Sequence, residues 1–338
     1  MRRRQFIALL GGAAAWPLAA RAQQSSPPRR VGVLMSGEET DLEFKALLAV
    51  FVQGLRSLGW IDGQNLRIDV RWSGGDTDHE RTSATELLRL SPDVIFALNT
   101  PNLTALLRQG PVMPIVFVQV SDPVAQGFVT NLAHPGGNIT GFSAYEFSIG
   151  GKWIDLLKNV VPGLARVAVV YNPDTAPQSK FFVGSIEAAA PSLNVAAVAV
   201  PVHDVTEVER AIQSMSVQPN SGIVFPTDNF LQVNRRLVVD LAARHRVPAI
   251  YYARYSTDIG GLMSYGIEYE NIFRQSRSLR RSHPEGRQGG GLAGPEPDQI
   301  QFCYQHEGRQ STRDRCSDNC ASERRRLYRV KPRNVNAA

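Results

Sequence analysis

Six small polar clusters each follow directly on a run of apolar or β-branched residues. They are Ser36-Gly37, Asn99-Thr100, Ser121-Asp122-Pro123, Tyr171-Asn172-Pro173, Pro226-Thr227-Asp228-Asn229 and Tyr252. Their hydroxyls and amides can hold a carboxylate, Asp122 or Asp228 an ammonium, and Tyr171 or Tyr252 a ring or chain. That mixture suits a zwitterion or another polar organic solute. Each Asn, Asp or Ser is equally suited to cap a helix that follows it. The recurrence at six such places makes ligand contacts of some of them.

Other chemistry finds few residues. After the first apolar run, Ser36-Gly37-Glu38-Glu39 offers carboxylates where a phosphate-binding loop would offer glycines. No serine stands in a nucleophile elbow, and no cysteine precedes Cys303. His79, His134, His203 and His245 are scattered without ligand-like spacing, and His79-Glu80 lacks the second helical histidine of a zinc protease. No catalytic residue, metal site or cofactor is expected.

In the elements that carry these clusters, strand and helix patterns alternate. Strands are expected at 30–35, 66–72, 93–98 and 114–120, separated by helices at 42–58, 79–90 and 102–109. A turn cluster, His134-Pro135-Gly136-Gly137-Asn138, is the candidate lobe boundary. The alternation then restarts, with helices at 153–160, 179–190, 205–215 and 231–243 and strands at 165–171, 194–200, 222–225 and 248–252. Short connections in this order predict an α/β fold of two doubly wound parallel sheets. In such sheets ligands sit beyond the carboxyl ends of the strands, where the polar clusters stand.

Charge sharpens the division of the chain. The 338 residues carry a formal charge of +6. Residues 277–338 hold 13 Lys and Arg against 7 Asp and Glu, which accounts for all of it. Residues 23–276 are mildly acidic, 20 basic against 24 acidic, which argues against a nucleic-acid partner. Cys303, Cys316 and Cys320 are the only cysteines, so packing alone must hold the rest together.

The first 22 residues read as an address. Arg2-Arg3-Arg4 precedes an apolar stretch from Phe6 to Leu18, closed by Ala20-Arg21-Ala22 before Gln23. A basic start, a short apolar middle and small residues at the end describe an export signal cleaved after Ala22. Arg3-Arg4-Gln5-Phe6-Ile7 is similar to the twin-arginine consensus, and a Sec signal with a basic start is the alternative. Residues 23–29 form a spacer, and the expected location is periplasmic.

Several segments together resemble the substrate-binding proteins of ABC transporters, of the tryptophan/tyrosine type. They are Phe51-Val52-Gln53-Gly54-Leu55 with Leu58-Gly59-Trp60, Asp122-Pro123-Val124 with Gly127, and Tyr171-Asn172-Pro173. The most specific is Pro135-Gly136-Gly137-Asn138-Ile139-Thr140-Gly141. The resemblance covers residues 1–276 and implies a type I periplasmic-binding fold. It implies an N-terminal lobe (30–143), a C-terminal lobe (144–255) and a return segment (256–276). A small solute, an amino acid or related compound, is expected in the cleft between the lobes, and an ABC permease as partner of a monomeric protein. The ligand contacts expected are Ser36, Gly37, Asn99, Thr100, Ser121, Asp122, Tyr171, Asn172, Asp228, Asn229 and Tyr252. A periplasmic sensor module for a membrane receptor is the alternative, with an enzyme on the same frame behind it.

After Ser276 the pattern stops, and Arg, Gly, Gln and Ser dominate. The resemblance implies a further helix, a Pro-Thr-Lys-Phe strand and an Ala-Lys-Ala-Leu-Gly helix here. Re-read one nucleotide forward with permitted synonymous codons, Ser278 to Asp314 accommodates that ending. A frameshift near residues 275–278 is therefore expected, with residues 277–338 disordered and the spacing of Cys303, His306, Cys316 and Cys320 without meaning as a metal site.

Overall fold

The computed structural model describes residues 27–132 and 135–267, and beyond them the backbone of three short strands. Two α/β lobes are built in succession. In the first, β1 (Arg29–Met35), β2 (Leu66–Trp72), β3 (Val94–Leu98), β4 (Ile115–Val120) and β5 (Ile139–Ser143) form a parallel sheet in the order β2-β1-β3-β4-β5. Helices α1 (Leu42–Ser57), α2 (Thr77–Arg89) and α3 (Thr100–Leu107) connect its strands.

The faces follow from strand periodicity. Val31, Val33 and Met35 of β1 pack with Phe44, Leu47, Phe51 and Leu55 of α1. Leu34, Ile95 and Ala97 point the other way, onto Ala84 and Leu87 of α2 and Leu103 and Leu106 of α3. The central strands β3 and β4 are buried along their whole length, as continuous apolar runs in a doubly covered sheet must be.

The second lobe repeats the scheme. Strands β6 (Arg166–Tyr171), β7 (Ala196–Pro201), β8 (Ser221–Phe225), β9 (Ala249–Tyr251) and β10 (Met263–Gly266) run parallel in the order β10-β9-β8-β6-β7. One face carries α4 (Ile149–Val160) and α5 (Ser179–Ala189), where Trp153 is fully buried and its Nε1 donates to Tyr265 O at 2.8 Å. The other carries α6 (Val205–Ser216) and α8 (Arg235–Arg244). Short helices α7 (Asn229–Val233) and α9 (Arg254–Asp258) stand at the carboxyl ends of β8 and β9.

Three features depart from the sequence expectation. The segment after the Gly136-Gly137 turn forms β5 of the first sheet, so the chain passes the turn cluster taken as candidate boundary and leaves that lobe after Ser143, the end of the lobe the resemblance implies. A Cβ at Gly141 would stand 2.1 Å from Phe117 O, so only glycine lets this edge strand pair so closely. The helix expected at 231–243 is two helices, α7 and α8, meeting at Asn234. Within the expected return segment, Met263–Gly266 pairs with β9 and widens the second sheet, and Ile267 then packs against the cores of both lobes.

Beyond residue 267, β11 (Leu279–Arg281) pairs with β12 (Ile300–Phe302), and β13 (Arg326–Arg329) pairs antiparallel with β10. The expected disorder of 277–338 is not met at these three strands; the rest of that tail, its Cys/His set and the expected export signal lie outside the described residues. Among the described residues no helix is long and apolar enough to cross a membrane.

Candidate functional site

The carboxyl ends of both sheets face one gap, and the polar clusters meet there. Asn99 follows β3 with φ +71 and ψ 173, an extended positive-φ conformation that residues other than glycine rarely adopt. Its side chain caps α3 by accepting from Asn102 N at 3.2 Å. Its Nδ2 donates to Ser36 Oγ at 2.6 Å within the lobe and to Asn229 Oδ1 across the gap. Asn229 Nδ2 donates back to Glu80 Oε1 at 3.0 Å. Lower in the gap, Ser121 Oγ and Thr227 Oγ1 are 3.4 Å apart. Ser36, Asn99, Asn229 and Glu80 therefore form one chain of polar contacts running from lobe to lobe.

A cavity of about 20 Å³ remains between the lobes, room for a water molecule. Asn99, Thr100 and Gln119 line it from the first lobe, and Gln178, Thr227, Asp228, Asn229, Gln232 and Tyr252 from the second.

At the rim the lobes are joined by charge. Arg235 of α8 reaches across to Asp41, the N-cap of α1, with Nη1 to Oδ2 at 2.7 Å and Nη2 to Oδ1 at 2.8 Å. Its Nε lies 3.3 Å from Glu43 Oε2, and the guanidinium sits 5.7 Å from the Tyr255 ring centre. The Arg235 and Asp41 side chains are 14% and 15% exposed, so the pair is largely out of water. Burial raises the Asp41 carboxyl, but the hydrogen bond and charge of Arg235 outweigh it and hold the group below its ordinary range. For Glu43 burial wins over the pull of Arg235, and its carboxyl is pushed up to about 7.

Two buried carboxylates shape the interior. Asp228 caps α7 and accepts from Asn172 N at 2.5 Å, Thr175 Oγ1 at 3.0 Å and Leu231 N at 3.1 Å, with Phe230 N beside it. Burial pushes its carboxyl up to about 6 against the pull of those donors. Its acceptor sites are filled within its own lobe, so it organises the Tyr171-Asn172-Pro173 and Thr227-Asp228-Asn229 turns around itself. Glu80, 3% exposed, is pushed by burial up to about 7, with Asn229 pulling the other way and Asp76 adding to the rise.

Because Asn229 of the opposite lobe lies against Glu80, parting the lobes is expected to expose that carboxyl to water, and closure is then expected to take up a proton. In the closed form Glu80 titrates near 7, while in an open form it meets water and returns toward the ordinary carboxylate range. The contribution to closure is complete below the open-state value and disappears as pH rises through about 7. Ligand affinity is therefore expected to fall several-fold from about pH 5.5 to about pH 8, and Glu80→Gln to flatten that slope in calorimetric titrations. Glu43 adds to the slope in the same direction.

Of the residues singled out in the sequence, Asn99, Thr100, Asp228, Asn229 and Tyr252 line the cavity. Ser121 closes one side of the gap and Ser36 supports Asn99 from behind. The other four lie elsewhere. Gly37 sits under α1, where a Cβ would be 2.0 Å from the Phe44 ring. Asp122 caps the turn that follows by accepting from Ala125 N at 3.0 Å. Asn172 caps its own turn through Asp174 N at 2.9 Å, and Tyr171 packs against the core under α4. Gln119, Gln178, Thr227, Gln232 and Glu80 were not singled out, although Thr227 lies within one of the clusters. Among the described residues no group of three or more His, Cys, Asp or Glu is placed to hold a metal ion.

The profile of the ABC transporter substrate binding protein family matches residues 33–279. The chain belongs to this family. A substrate-binding protein of this kind is built as the lobes show, and the arrangement is that of the type I periplasmic binding proteins. The tyrosine-binding protein of Clostridioides difficile (strain R20291) is 30% identical over 242 residues, 72% of this chain and 69% of that one. Among solved structures, a conserved domain protein from Vibrio cholerae is 25% identical with a TM-score of 0.66, covering 74% of this chain and 83% of that one. The ligand-free, open structure of a substrate binding protein with adhesive properties from Clostridium difficile is 28% identical, with a TM-score of 0.52 and coverage of 74% and 83%. The match to the family profile ends within three residues of Ser276, where the strand and helix pattern stops in the sequence.

Proposed function

We propose that this substrate-binding protein captures an aromatic amino acid, tyrosine foremost, in the gap between its lobes and delivers it to an ABC permease outside the cytoplasmic membrane. The observation that carries the proposal is the cavity lined by amides and hydroxyls of both lobes together with the Asp228 carboxyl, with Tyr252 at its wall. The tyrosine-binding relative supports the ligand class. Exported placement rests on residues 1–22, and the protein acts as a monomer without turnover.

The physics is differential. A guest that touches both lobes has its full set of contacts only when they are closed, so it shifts the population toward the closed form. In the closed form the cavity has room for about one water, so an amino acid enters only once the lobes have parted. Asn99 and Asn229 then exchange their mutual contact for the guest. The ligand-free, open structure of the similar substrate binding protein supports such a form here.

Isothermal titration of the full chain with tyrosine, tryptophan, phenylalanine and a set of sugars tests the proposal. One tyrosine per chain, bound in or below the micromolar range, unconsumed and preferred over sugars, is the expected result. A chain that binds no amino acid, or converts the ligand chemically, would contradict it.

A further inference from the structure

Two buried amides on opposite walls of the cavity each hold an atom with no hydrogen-bond partner. These atoms are Gln119 Nε2 in the first lobe and Gln178 Oε1 in the second. The residues are 9% and 4% exposed. Leaving a buried polar atom unmet costs about 1–3 kcal/mol, so each such atom calls for a physical reason.

For Gln119 the backbone supplies one. Along β4, Ile115 and Phe117 face one core while Val116 and Val118 face the other. Strict alternation would place residue 119 with Ile115 and Phe117, yet Val120 takes that place. Gln119 is the extra residue of a bulge, where the register against β5 shifts between Val118 and Val120. Its φ is +62, a conformation costing about 1–3 kcal/mol for a residue other than glycine. The bulge takes the side chain out of the core and turns it into the gap between the lobes.

Gln178 is aimed differently. Its Nε2 donates to Thr227 O at 3.2 Å, and that carbonyl fixes which end of the amide is which. Its carbonyl end is left buried without a partner in a residue that lines the cavity, and the next residue's Ser179 Oγ is likewise buried without one.

Resting on the reading of the ligand as an amino acid, we infer that Gln119 and Gln178 read the two ends of a zwitterion: the Gln119 amide donates to the carboxylate, and the Gln178 carbonyl accepts from the ammonium. No Lys, Arg or His lines the cavity, and the Asp228 carboxylate is occupied by donors of its own lobe. An anionic ligand meets no cation there, and the one lining carboxylate is engaged by its own lobe. The class selected is an amino acid with an uncharged side chain, gripped at its head by one neutral dipole from each lobe.

Calorimetric titration with tyrosine of Met and Glu variants at each position separates this assignment from a packing role. Gln119→Met is expected to weaken binding about tenfold, and Gln119→Glu further, because a carboxylate then faces a carboxylate. Gln178→Met is expected to weaken binding about tenfold, and Gln178→Glu to recover part of that loss by meeting the ammonium. The step from Met to Glu thus has opposite signs at the two sites. The same sign at both, or Met variants that bind as the wild type does, overturns the assignment. A wild-type chain that binds no tyrosine overturns instead the reading on which it rests.

Discussion

Asp228→Ala is expected to lower the melting temperature by about 5–10 °C and to abolish measurable ligand binding. The carboxylate is 3% exposed and accepts from the backbone of Asn172 and Leu231 and from Thr175 Oγ1. Alanine leaves those donors buried and unmet, at about 1–3 kcal/mol each in the unrelaxed limit. Part of this is returned because a buried charge is removed, so a net loss of about 2–4 kcal/mol is expected. Binding suffers further because the Asn172 and Thr227 turns are both tied to this one side chain. Asp228→Asn should fall between the two, since it keeps the shape but turns an NH2 group toward donors.

The pH dependence has a definite sign. The Asp228 carboxyl is raised in the fold to about 6, above its ordinary 3.8. Its contribution is therefore complete below that ordinary value and is lost as pH rises through about 6. Wild type should gain in melting temperature on the Asn variant as pH falls from about 7 to about 5. A constant difference between the two proteins would contradict this reading of Asp228.

Arg235→Met is expected to weaken ligand binding about 10- to 100-fold while leaving both lobes folded. Bidentate, charge-assisted pairs with little water contact are worth more than surface ion pairs, about 1.5–3 kcal/mol here. The partners stand on different lobes, so the pair exists only in the closed form, and losing it raises the cost of closing. Asp41→Asn should produce most of the same loss, and the double variant little more than either alone. Unchanged tyrosine affinity in Arg235→Met would show that the rim pair does not hold the lobes together.

Much of the frame was legible because both sheets are doubly covered. Runs such as Val94–Leu98 and Ile115–Val120 must be apolar on both faces, and such runs stand out in a sequence. β5 did not stand out. Ile139–Ser143 is a half-buried edge strand with a glycine at its centre, where an apolar run is neither needed nor present. The single helix expected at 231–243 breaks at Asn234 because Asp228 starts a separate short turn of helix.

The cavity lining was legible wherever one of its groups stands at a strand end. Asn99, Thr100, Asp228 and Asn229 have that position, and small polar residues after an apolar run announce it. Gln119 sits inside the apolar run itself, and only the bulge against β5 turns it outward, a register event no local pattern shows. Glu80 belongs to the cleft through a contact formed where the lobes meet, 149 residues from its partner Asn229, and Gln178 through a contact inside its own lobe, 49 residues from Thr227. A cap and a ligand contact also look alike in sequence. Asn172 and Asp122 proved to be turn caps, while Asn99 is a cap that also reaches the other lobe.

The most direct test of a jointly held guest is amide hydrogen exchange with and without tyrosine. Slower exchange should appear together at the start of α3 near Thr100 and at α7 near Asn229, with little change on the far edges of the sheets at β2 and β7. Protection confined to one lobe, or absent from both at saturating tyrosine, would contradict the account.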